Sequence, residues 1–244
     1  MTGLLASVKN PEEARQAAAG GADLIDFKDP VRGALGGLPG EVIARGVEAV
    51  AGRRPASATV GDPPMEPDQL MPAVREIAEA GVDLVKVGLD GPADLTRSVI
   101  DALVPAAEDG VALVAVLFAD RSPDLGIIPA LGAAGFRGVM LDTAGKGAGS
   151  LPAHMTQPEL AEMVAEARKQ ELLTGLAGSL RVADIRDLLV LEPDFLGFRG
   201  ALCGQEGREG ILDPEALADV RSRIPASEGL LGKACADAEG AAAR

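Results

Sequence analysis

The feature that most constrains the fold of this sequence is an eightfold alternation of short apolar runs with longer amphipathic segments. The runs are rich in Val, Ile, Leu and Phe, which is typical of buried strands, and the segments between them carry apolar residues at helical spacing. Strands that alternate with helices in this way form parallel sheets with right-handed crossovers. The predicted strands are residues 4–8, 23–27, 56–60, 83–87, 112–117, 138–141, 172–176 and 195–198.

Eight such units in 244 residues predict an α/β protein with a single (β/α)8 TIM barrel, because closed barrels of this kind contain about 250 residues. An open, doubly wound sheet is the alternative, and the count of eight units favours the closed form. We place the catalytic barrel domain at residues 1–224, with a last helix at 213–224 that opens with Asp-Pro-Glu. Residues 225–244 are rich in Ala, Gly and Glu and are predicted to form a flexible C-terminal tail.

A short glycine phrase between helices and strands predicts the register of the barrel. Ala-Gly-Gly-Ala-Asp ends at Asp23, and similar phrases end at Asp83 and Arg137, just before even-numbered strands. Structural layers inside a barrel are apolar, so a layer of charged side chains near the carboxyl ends of the strands predicts an active site. Aligning the even strands on the phrase gives a lower level with Asp26, Lys86, Met140 and Gly197, and an upper level with Lys28, Gly88, Asp142 and Arg199.

Composition and charge argue against several classes of function. The net charge of −14, with no Trp or Tyr and only five Phe, opposes binding to nucleic acids or anionic membranes. No run of about 18 apolar residues predicts a membrane span, and residues 1–8 show no export signal, so we expect a cytoplasmic protein. Two cysteines and one histidine form no metal-binding pattern, so we expect no metal and no cofactor. The expected partner is a small-molecule substrate, bound by a homo-oligomer.

Lysine is scarce in this chain, since only six of its 23 basic residues are lysines. Lys28 follows the second predicted strand, at the end of a barrel where active sites form. The alternation of side chains along a strand points Asp26 to the same side. A neutral lysine amine can attack a carbonyl group and form a Schiff base. We therefore choose Lys28 as the reacting amine, with an ordinary Lys–Asp ion pair as the alternative.

Three further residues are candidates for proton transfer or phosphate binding. Lys86 lies within the fourth apolar run, where its ammonium must point into the barrel; the alternative is a structural ion pair with Asp26. Asp142 ends the sixth run and is a candidate acid or base, or else a loop cap. Lys146 lies in the Gly-rich loop that follows, where it either covers a substrate phosphate or remains solvated.

Two loops, after the seventh and eighth strands, are predicted to bind phosphate. Gly178 and Ser179 follow the seventh strand, and Arg199 and Gly200 follow the eighth. Barrels commonly bind phosphate at this position, through backbone N–H groups and a helix N-terminus. A plain helix N-cap is the alternative for Ser179.

The chain also contains seven phrases in a fixed order: Asp-Leu-Ile-Asp-Phe-Lys-Asp-Pro (23–30), Gly-Ala-Leu-Gly (33–36), Ser-Ala-Thr-Val-Gly-Asp (57–62), Val-Lys-Val-Gly-Leu (85–89), Met-Leu-Asp-Thr-Ala (140–144) with Lys146, Leu-Ala-Gly-Ser-Leu (176–180), and Phe-Arg-Gly-Ala (198–201) with Cys203. Together they resemble the (5-formylfuran-3-yl)methyl phosphate synthases of methanofuran biosynthesis, from residue 4 to about residue 224. The departures are Phe27 in place of a β-branched residue, Asp29 in place of an amide, and the tail.

The resemblance implies a lyase that condenses two molecules of glyceraldehyde 3-phosphate with loss of phosphate and water. Lys28 matches the family's Schiff-base lysine, and Asp26, Lys86, Asp142 and Lys146 match its residues for proton transfer and phosphate handling. A bacterial protein of this kind would fit the formaldehyde-oxidising C1 pathway of methylotrophs. The alternatives are a class I aldolase-like or thiamin-phosphate-synthase-like barrel acting on another phosphorylated substrate, and a ligand-binding barrel without catalysis.

Overall fold

Eight parallel strands close into one barrel in the computed structural model, which describes residues 1–145, 147 and 149–225. Each strand pairs with its neighbours in sequence, and the eighth pairs with the first. The predicted TIM barrel is thus confirmed, and every predicted strand end lies within one residue of the observed one. The strands are β1 Gly3–Val8, β2 Leu24–Phe27, β3 Ala56–Thr59, β4 Leu84–Gly88, β5 Leu113–Phe118, β6 Gly138–Asp142, β7 Leu173–Leu176 and β8 Phe195–Phe198.

Helices cover the outside of the barrel and connect successive strands. They are α1 Pro11–Ala19, α2 Gly40–Val50, α3 Pro67–Glu79, α4 Ala93–Glu108, α5 Ile128–Ala133, α6 Gln157–Lys169, α7 Ile185–Leu189 and α8 Pro214–Arg223. Short 3-10 turns occupy Pro30–Arg32, Ala119–Arg121, Leu125–Ile127, Leu151–Ala153, Val182–Asp184, Gly200–Leu202 and Gly204–Glu206. Within the described ranges, no helix is both long enough and apolar enough to cross a membrane.

The predicted last helix is observed as α8. The Asp213 side chain begins this helix by accepting hydrogen bonds from the N–H groups of Glu215 and Ala216. The predicted flexible tail falls, after Pro225, on residues outside the described part of the chain. Its flexibility therefore stays a prediction.

The strand pairings reproduce the predicted lower layer of the barrel. In an eight-stranded barrel of this type, neighbouring strands are staggered by one residue on average, so a layer is found by crossing two strands and advancing two residues. Starting from Asp26, this step leads to Lys86, and repeating it leads to Met140, to Gly197 and back to Asp26. The alignment based on the glycine phrase, which precedes β2, β4 and β6, therefore predicts the lower layer correctly, including Gly197 on β8.

The interior of the barrel is apolar at its amino-terminal end and along one side of its mouth. Leu35, from the loop after β2, packs against the Cα of Gly88 on β4, where a Cβ would overlap it. Phe118 at the end of β5 lies in the same cluster. This side of the mouth is therefore filled, and space for a ligand remains beside β6, β7, β8, β1 and β2. The amino-terminal end is filled by Leu5, Leu24, Leu84, Val114 and Phe195.

Aspartates at the amino-terminal end of the barrel connect neighbouring strands. Asp23, Asp83 and Asp194 precede β2, β4 and β8, and each accepts a hydrogen bond from a backbone N–H near the start of the preceding strand, at 2.8, 2.7 and 2.7 Å. Before β2 and β4, the last residue of the glycine phrase thus also supplies a carboxylate that satisfies a strand-end donor which would otherwise lack a partner. These bonds lie at the end of the barrel opposite to the ligand space.

Candidate active site

A cavity of about 460 Å³ opens at the carboxyl ends of the strands. Every predicted site residue that the structure describes lines this cavity: Asp26, Lys28, Lys86, Asp142, Gly178, Ser179, Arg199 and Gly200. Lys146 lies outside the described residues, so its role stays a prediction. The barrel register therefore brings together side chains that are distant in sequence.

The most buried charged pair in the cavity is Asp26 with Lys86, whose carboxylate and ammonium form an ion pair. Asp26 is fully buried, and it also accepts hydrogen bonds from Ser7 Oγ at 2.9 Å and Ser57 Oγ at 2.8 Å. Both oxygens of Asp26 are therefore bound. The two serines were not predicted as site residues, because a hydroxyl within a strand gives no signal until its neighbours in space are known.

Burial disfavours the charge on both members of this pair. At Asp26, burial raises the pKa, but the positive charges of Lys86 and Lys28 lower it more. Hydrogen bonds from Lys86 and Ser57 add to this effect, so the pKa of Asp26 lies below its ordinary value. At Lys86, burial outweighs the charge of Asp26 and is reinforced by the charge of Lys28, so the pKa of Lys86 lies below its ordinary value. Lys86 therefore releases a proton more readily than a surface lysine.

Lys28 pairs with Asp142, not with Asp26 beside it on the same strand. Its Nζ lies 3.5 Å from Oδ2 of Asp142, and the two side chains are only 9% and 4% exposed. The Asp142 carboxylate also accepts a hydrogen bond from the N–H of Thr143 at 2.7 Å. The cavity therefore contains a buried amine next to a carboxylate that can take a proton from it.

The loop after β7 presents backbone N–H groups to the cavity. Gly178 and Ser179 both have left-handed backbone, with φ of +106° and +48°, and a Cβ on Gly178 would lie 2.9 Å from Cγ2 of Thr143. Among the described residues, no hydrogen-bond partner is found for the N–H groups of Gly178, Ser179 and Leu180. Successive N–H groups in such a turn form a concave site for an anion. The next 3-10 turn begins after Arg181, so Ser179 is not its N-cap.

Arg199 lies in the cavity wall, but its guanidinium is fully occupied. It donates five hydrogen bonds: two to Glu13, and one each to the carbonyl oxygens of Ser7, Arg208 and Gly210. A guanidinium has five N–H groups, so none remains for a phosphate. The geometry thus gives Arg199 a different task from the predicted one, which is to connect β8 with β1, α1 and the following loop.

Two arginines that were not predicted also line the cavity. Arg208 is half-buried, and its Nη2 donates to the carbonyl oxygen of Gly33 at 2.7 Å. Burial lowers the pKa of Arg208 from its ordinary value, although the charge of Asp142 acts in the opposite direction. Arg181 is 72% exposed at the rim and pairs with Asp184 at 3.2 Å. Neither arginine follows a strand directly, so no strand-end signal identifies them in the sequence.

Asp120, directly after β5, fixes the start of the loop that follows β6. Its two carboxylate oxygens accept hydrogen bonds from the N–H groups of Ala144 and Gly145, at 2.8 and 2.7 Å. Burial opposes its charge, but these bonds outweigh burial and hold the pKa of Asp120 below its ordinary value. Asp120 therefore fixes the backbone of Ala144 and Gly145 after β6.

The described part of the chain contains no group of three or more His, Cys, Asp or Glu residues arranged to bind a metal ion. Of the carboxylates in the cavity, Asp26 and Asp142 are each paired with a lysine. The arrangement is suited to chemistry at an amine, with neighbouring acids and bases and with amide groups that can hold an anion.

These features define a class of protein: a (β/α)8 barrel with a buried amine and, at the carboxyl end of its strands, a loop of backbone N–H groups without partners among the described residues. Phosphoribosyl anthranilate isomerase from Thermus thermophilus has a similar fold, with a TM-score of 0.63 over 91% of this chain and 98% of that one. The sequences are 15% identical, so the comparison concerns the fold alone.

Residues 4–221 match the family described as 4-HFC-P synthase. A (5-formylfuran-3-yl)methyl phosphate synthase from Methanococcus aeolicus is 36% identical over 229 residues, which are 89% of this chain and 97% of the relative. A Methylorubrum extorquens protein, to which the same activity is provisionally assigned, is 42% identical over 217 residues, 89% of each chain. The chain therefore belongs to this synthase family of methanofuran biosynthesis, and the resemblance seen in its phrases is confirmed.

Proposed function

We propose that this chain joins two molecules of glyceraldehyde 3-phosphate through a Schiff base on Lys28 and forms (5-formylfuran-3-yl)methyl phosphate. The observation that carries the proposal is the buried amine of Lys28, 3.5 Å from Asp142 in a cavity with amide groups for phosphate. Relatives that carry the name of this synthase match nearly nine-tenths of the chain.

In the first step, the neutral amine of Lys28 attacks the aldehyde carbon of one triose phosphate, and loss of water gives an imine. Asp142 is within 3.5 Å of this nitrogen and accepts and returns the protons.

In the second step, the protonated imine acidifies the neighbouring C–H group, and removal of that proton gives an enamine. The enamine carbon attacks the aldehyde of the second triose. The Asp26–Lys86 pair lies one layer below Lys28 in the barrel. Because burial lowers the pKa of Lys86, this pair can accept and return the proton that leaves the C–H group. Binding both trioses in one cavity removes the entropic cost of bringing them together.

Hydrolysis of the imine consumes one water and frees Lys28, and ring closure and elimination of phosphate and water complete the reaction. Two trioses that lose one phosphate and two waters have the composition of the furan aldehyde phosphate. The phosphate groups are held by the N–H groups of Gly178, Ser179 and Gly200, and Lys146 is proposed to cover one of them. Amide donors arranged before the reaction stabilise charge that develops on a leaving phosphate.

The activity test uses purified protein and glyceraldehyde 3-phosphate, with released phosphate and the ultraviolet absorption of the furan aldehyde as readouts. Lys28→Arg keeps the positive charge but cannot form an imine, so we expect its rate to fall by at least about 10³-fold. Lys169→Arg is the matched control, because Lys169 is a surface residue 2.9 Å from Glu166. The control should keep the wild-type rate.

Reduction with borohydride identifies the reacting lysine. We expect one triose phosphate to be attached to the peptide that contains Lys28. Attachment to Lys86 would show that Lys86, and not Lys28, is the nucleophile. Trapping on Lys28 with other phosphorylated aldehydes, without any furan product, would favour the aldolase-like alternative. A protein that gives neither adduct nor product would refute the proposal.

A further inference from the structure

Five cations line the described walls of the cavity, and four of them have carboxylate partners. Arg208 is the exception within the described ranges: no Asp or Glu oxygen lies within ion-pair distance of its guanidinium, which makes one hydrogen bond, to Gly33. Four of its five N–H groups are therefore available. The paired cations are Lys28 with Asp142, Lys86 with Asp26, Arg181 with Asp184, and Arg199 with Glu13.

Arg208 lies directly over the loop that follows β8. A Cβ built on Gly200 would lie 3.8 Å from both the Cβ and the backbone nitrogen of Arg208. The N–H groups of Gly200 and Ala201, at the start of the 3-10 turn, have no hydrogen-bond partner among the described residues. A guanidinium without a carboxylate partner and two amide N–H groups without hydrogen bonds thus lie, among the described residues, in the same part of the cavity wall.

The backbone that carries Arg208 is fixed from below. Nε of Arg199 donates to the carbonyl oxygen of Arg208 at 2.8 Å, and Nη2 of Arg199 donates to that of Gly210 at 2.6 Å. Nζ of Lys9 donates to the carbonyl oxygens of Glu209 and Gly210. Arg199 and Lys9 therefore hold three successive carbonyl groups in place. A loop fixed in this way presents a side chain at little further entropic cost when a ligand binds.

We propose that Arg208 binds the phosphate group of a bound triose phosphate, together with the N–H groups of Gly200 and Ala201. This inference rests on the proposed function for the class of substrate. A guanidinium presents two parallel N–H groups that match two phosphate oxygens, and such charged hydrogen bonds are stronger than neutral ones. Arg199 and Lys9 are positioning residues for the loop and do not contact the phosphate.

Glycerol 3-phosphate is a suitable probe, because it has the phosphate but no carbonyl group and so binds without forming a Schiff base. Calorimetric titration of the full chain should show binding to the wild type. We expect Arg208→Gln to weaken it by about 10- to 100-fold, and Arg208→Lys to weaken it less. Arg181→Gln is the matched control at the rim, where an exposed, paired charge should change the affinity by about threefold or less.

A second measurement separates phosphate recognition from damage to the site. Borohydride trapping of Lys28 with unphosphorylated glyceraldehyde should be the same in Arg208→Gln and in the wild type. Trapping with subsaturating glyceraldehyde 3-phosphate should fall in the variant. A loss with both aldehydes would overturn the phosphate role and indicate a structural one.

Three results of the titration would also overturn the inference. They are a wild type that does not bind glycerol 3-phosphate, an Arg208→Gln variant with wild-type affinity, and an Arg181→Gln variant that loses as much affinity as Arg208→Gln. Failure of the synthase activity is a separate result, since the probe reports phosphate binding whether or not a furan is formed.

Discussion

At the scale of single residues, the Asp26–Lys86 pair shows why a barrel interior carries charges at all. Taking two charges out of water costs more than their attraction returns unless further hydrogen bonds satisfy them. Ser7 and Ser57 supply such bonds to Asp26, whereas Lys86 remains easier to deprotonate than usual. An apolar pair of similar volume is often as stable, so stability alone does not account for these charges.

The same pair gives a pH-dependent prediction for Asp26→Asn. The change removes the counter-charge of a buried ammonium, which typically costs about 3–5 kcal/mol when only one partner is removed. Because the folded-state pKa of Lys86 lies below its unfolded value of about 10.4, the unfolded state binds the extra proton between these values, and stability rises with pH in that window. Loss of Asp26 lowers the folded-state value further and widens the window.

The stability deficit of Asp26→Asn should therefore shrink as the pH rises from the folded-state pKa of Lys86 in the variant to that in the wild type, and should stay constant from there to the unfolded value of about 10.4. Urea unfolding of the variant and the wild type at several pH values measures this difference. Adding Lys86→Met should remove the rise of the variant's own stability with pH that Lys86 causes. A deficit that stays constant or grows across the whole pH range would show that Lys86 does not lose its proton in the variant.

At the scale of elements, one departure from the family phrases is compensated on a neighbouring helix. Phe27 replaces an expected β-branched residue on β2, and its ring lies against the Cα of Gly46 in α2. A Cβ at position 46 would overlap the ring, so the helix and strand approach each other only because this residue is glycine. The Phe27 ring therefore fills the space that a side chain at position 46 would occupy.

Gly46→Ala tests this complementarity. Alanine normally stabilises a helix interior by about 1 kcal/mol relative to glycine. Here the added methyl group meets the Phe27 ring, so we expect a loss of about 1–3 kcal/mol in the free energy of unfolding. In a Phe27→Val background the same change should become stabilising. Chemical unfolding of the four proteins measures the coupling, and equal effects in both backgrounds would contradict it.

Strand positions and their register could be predicted from the sequence, because the strands are continuous apolar runs buried on both faces and a glycine phrase recurs before three of the four even strands. The directions of long side chains could not. Arg199 ends β8 at the predicted level, but its guanidinium turns away to Glu13, which lies on α1 and far away in sequence. Arg208 enters the cavity from an irregular loop, where no periodicity constrains it. The need for glycine at position 46 likewise could not be predicted, because it depends on contact with the Phe27 ring.

At the scale of the whole molecule, stability and chemistry are assigned to opposite ends of the barrel. The amino-terminal end carries Asp23, Asp83 and Asp194, each bound to a strand amide, over an apolar interior. The carboxyl end carries the buried lysines and the loops after β7 and β8 that line the cavity. In barrels of this fold the two ends vary independently, since loops at the carboxyl end hold the reacting groups.

This division predicts that substitutions at the amino-terminal end lower stability without altering the reaction. Asp83→Ala removes one hydrogen bond to the N–H of Ala56 near the surface and should cost about 1 kcal/mol. Asp23→Ala should cost more, about 3 kcal/mol, because Asp23 is more buried and also pairs with Arg221 of α8 at 2.6 Å. For a domain of this size each kcal/mol lowers Tm by about 2–4 °C. Below that temperature, both variants should keep the wild-type kcat on glyceraldehyde 3-phosphate, whereas Asp142→Asn, at the other end of the barrel, should lose activity even in the folded protein. A fall in kcat for Asp83→Ala in the folded protein would mean that the two ends of the barrel are coupled.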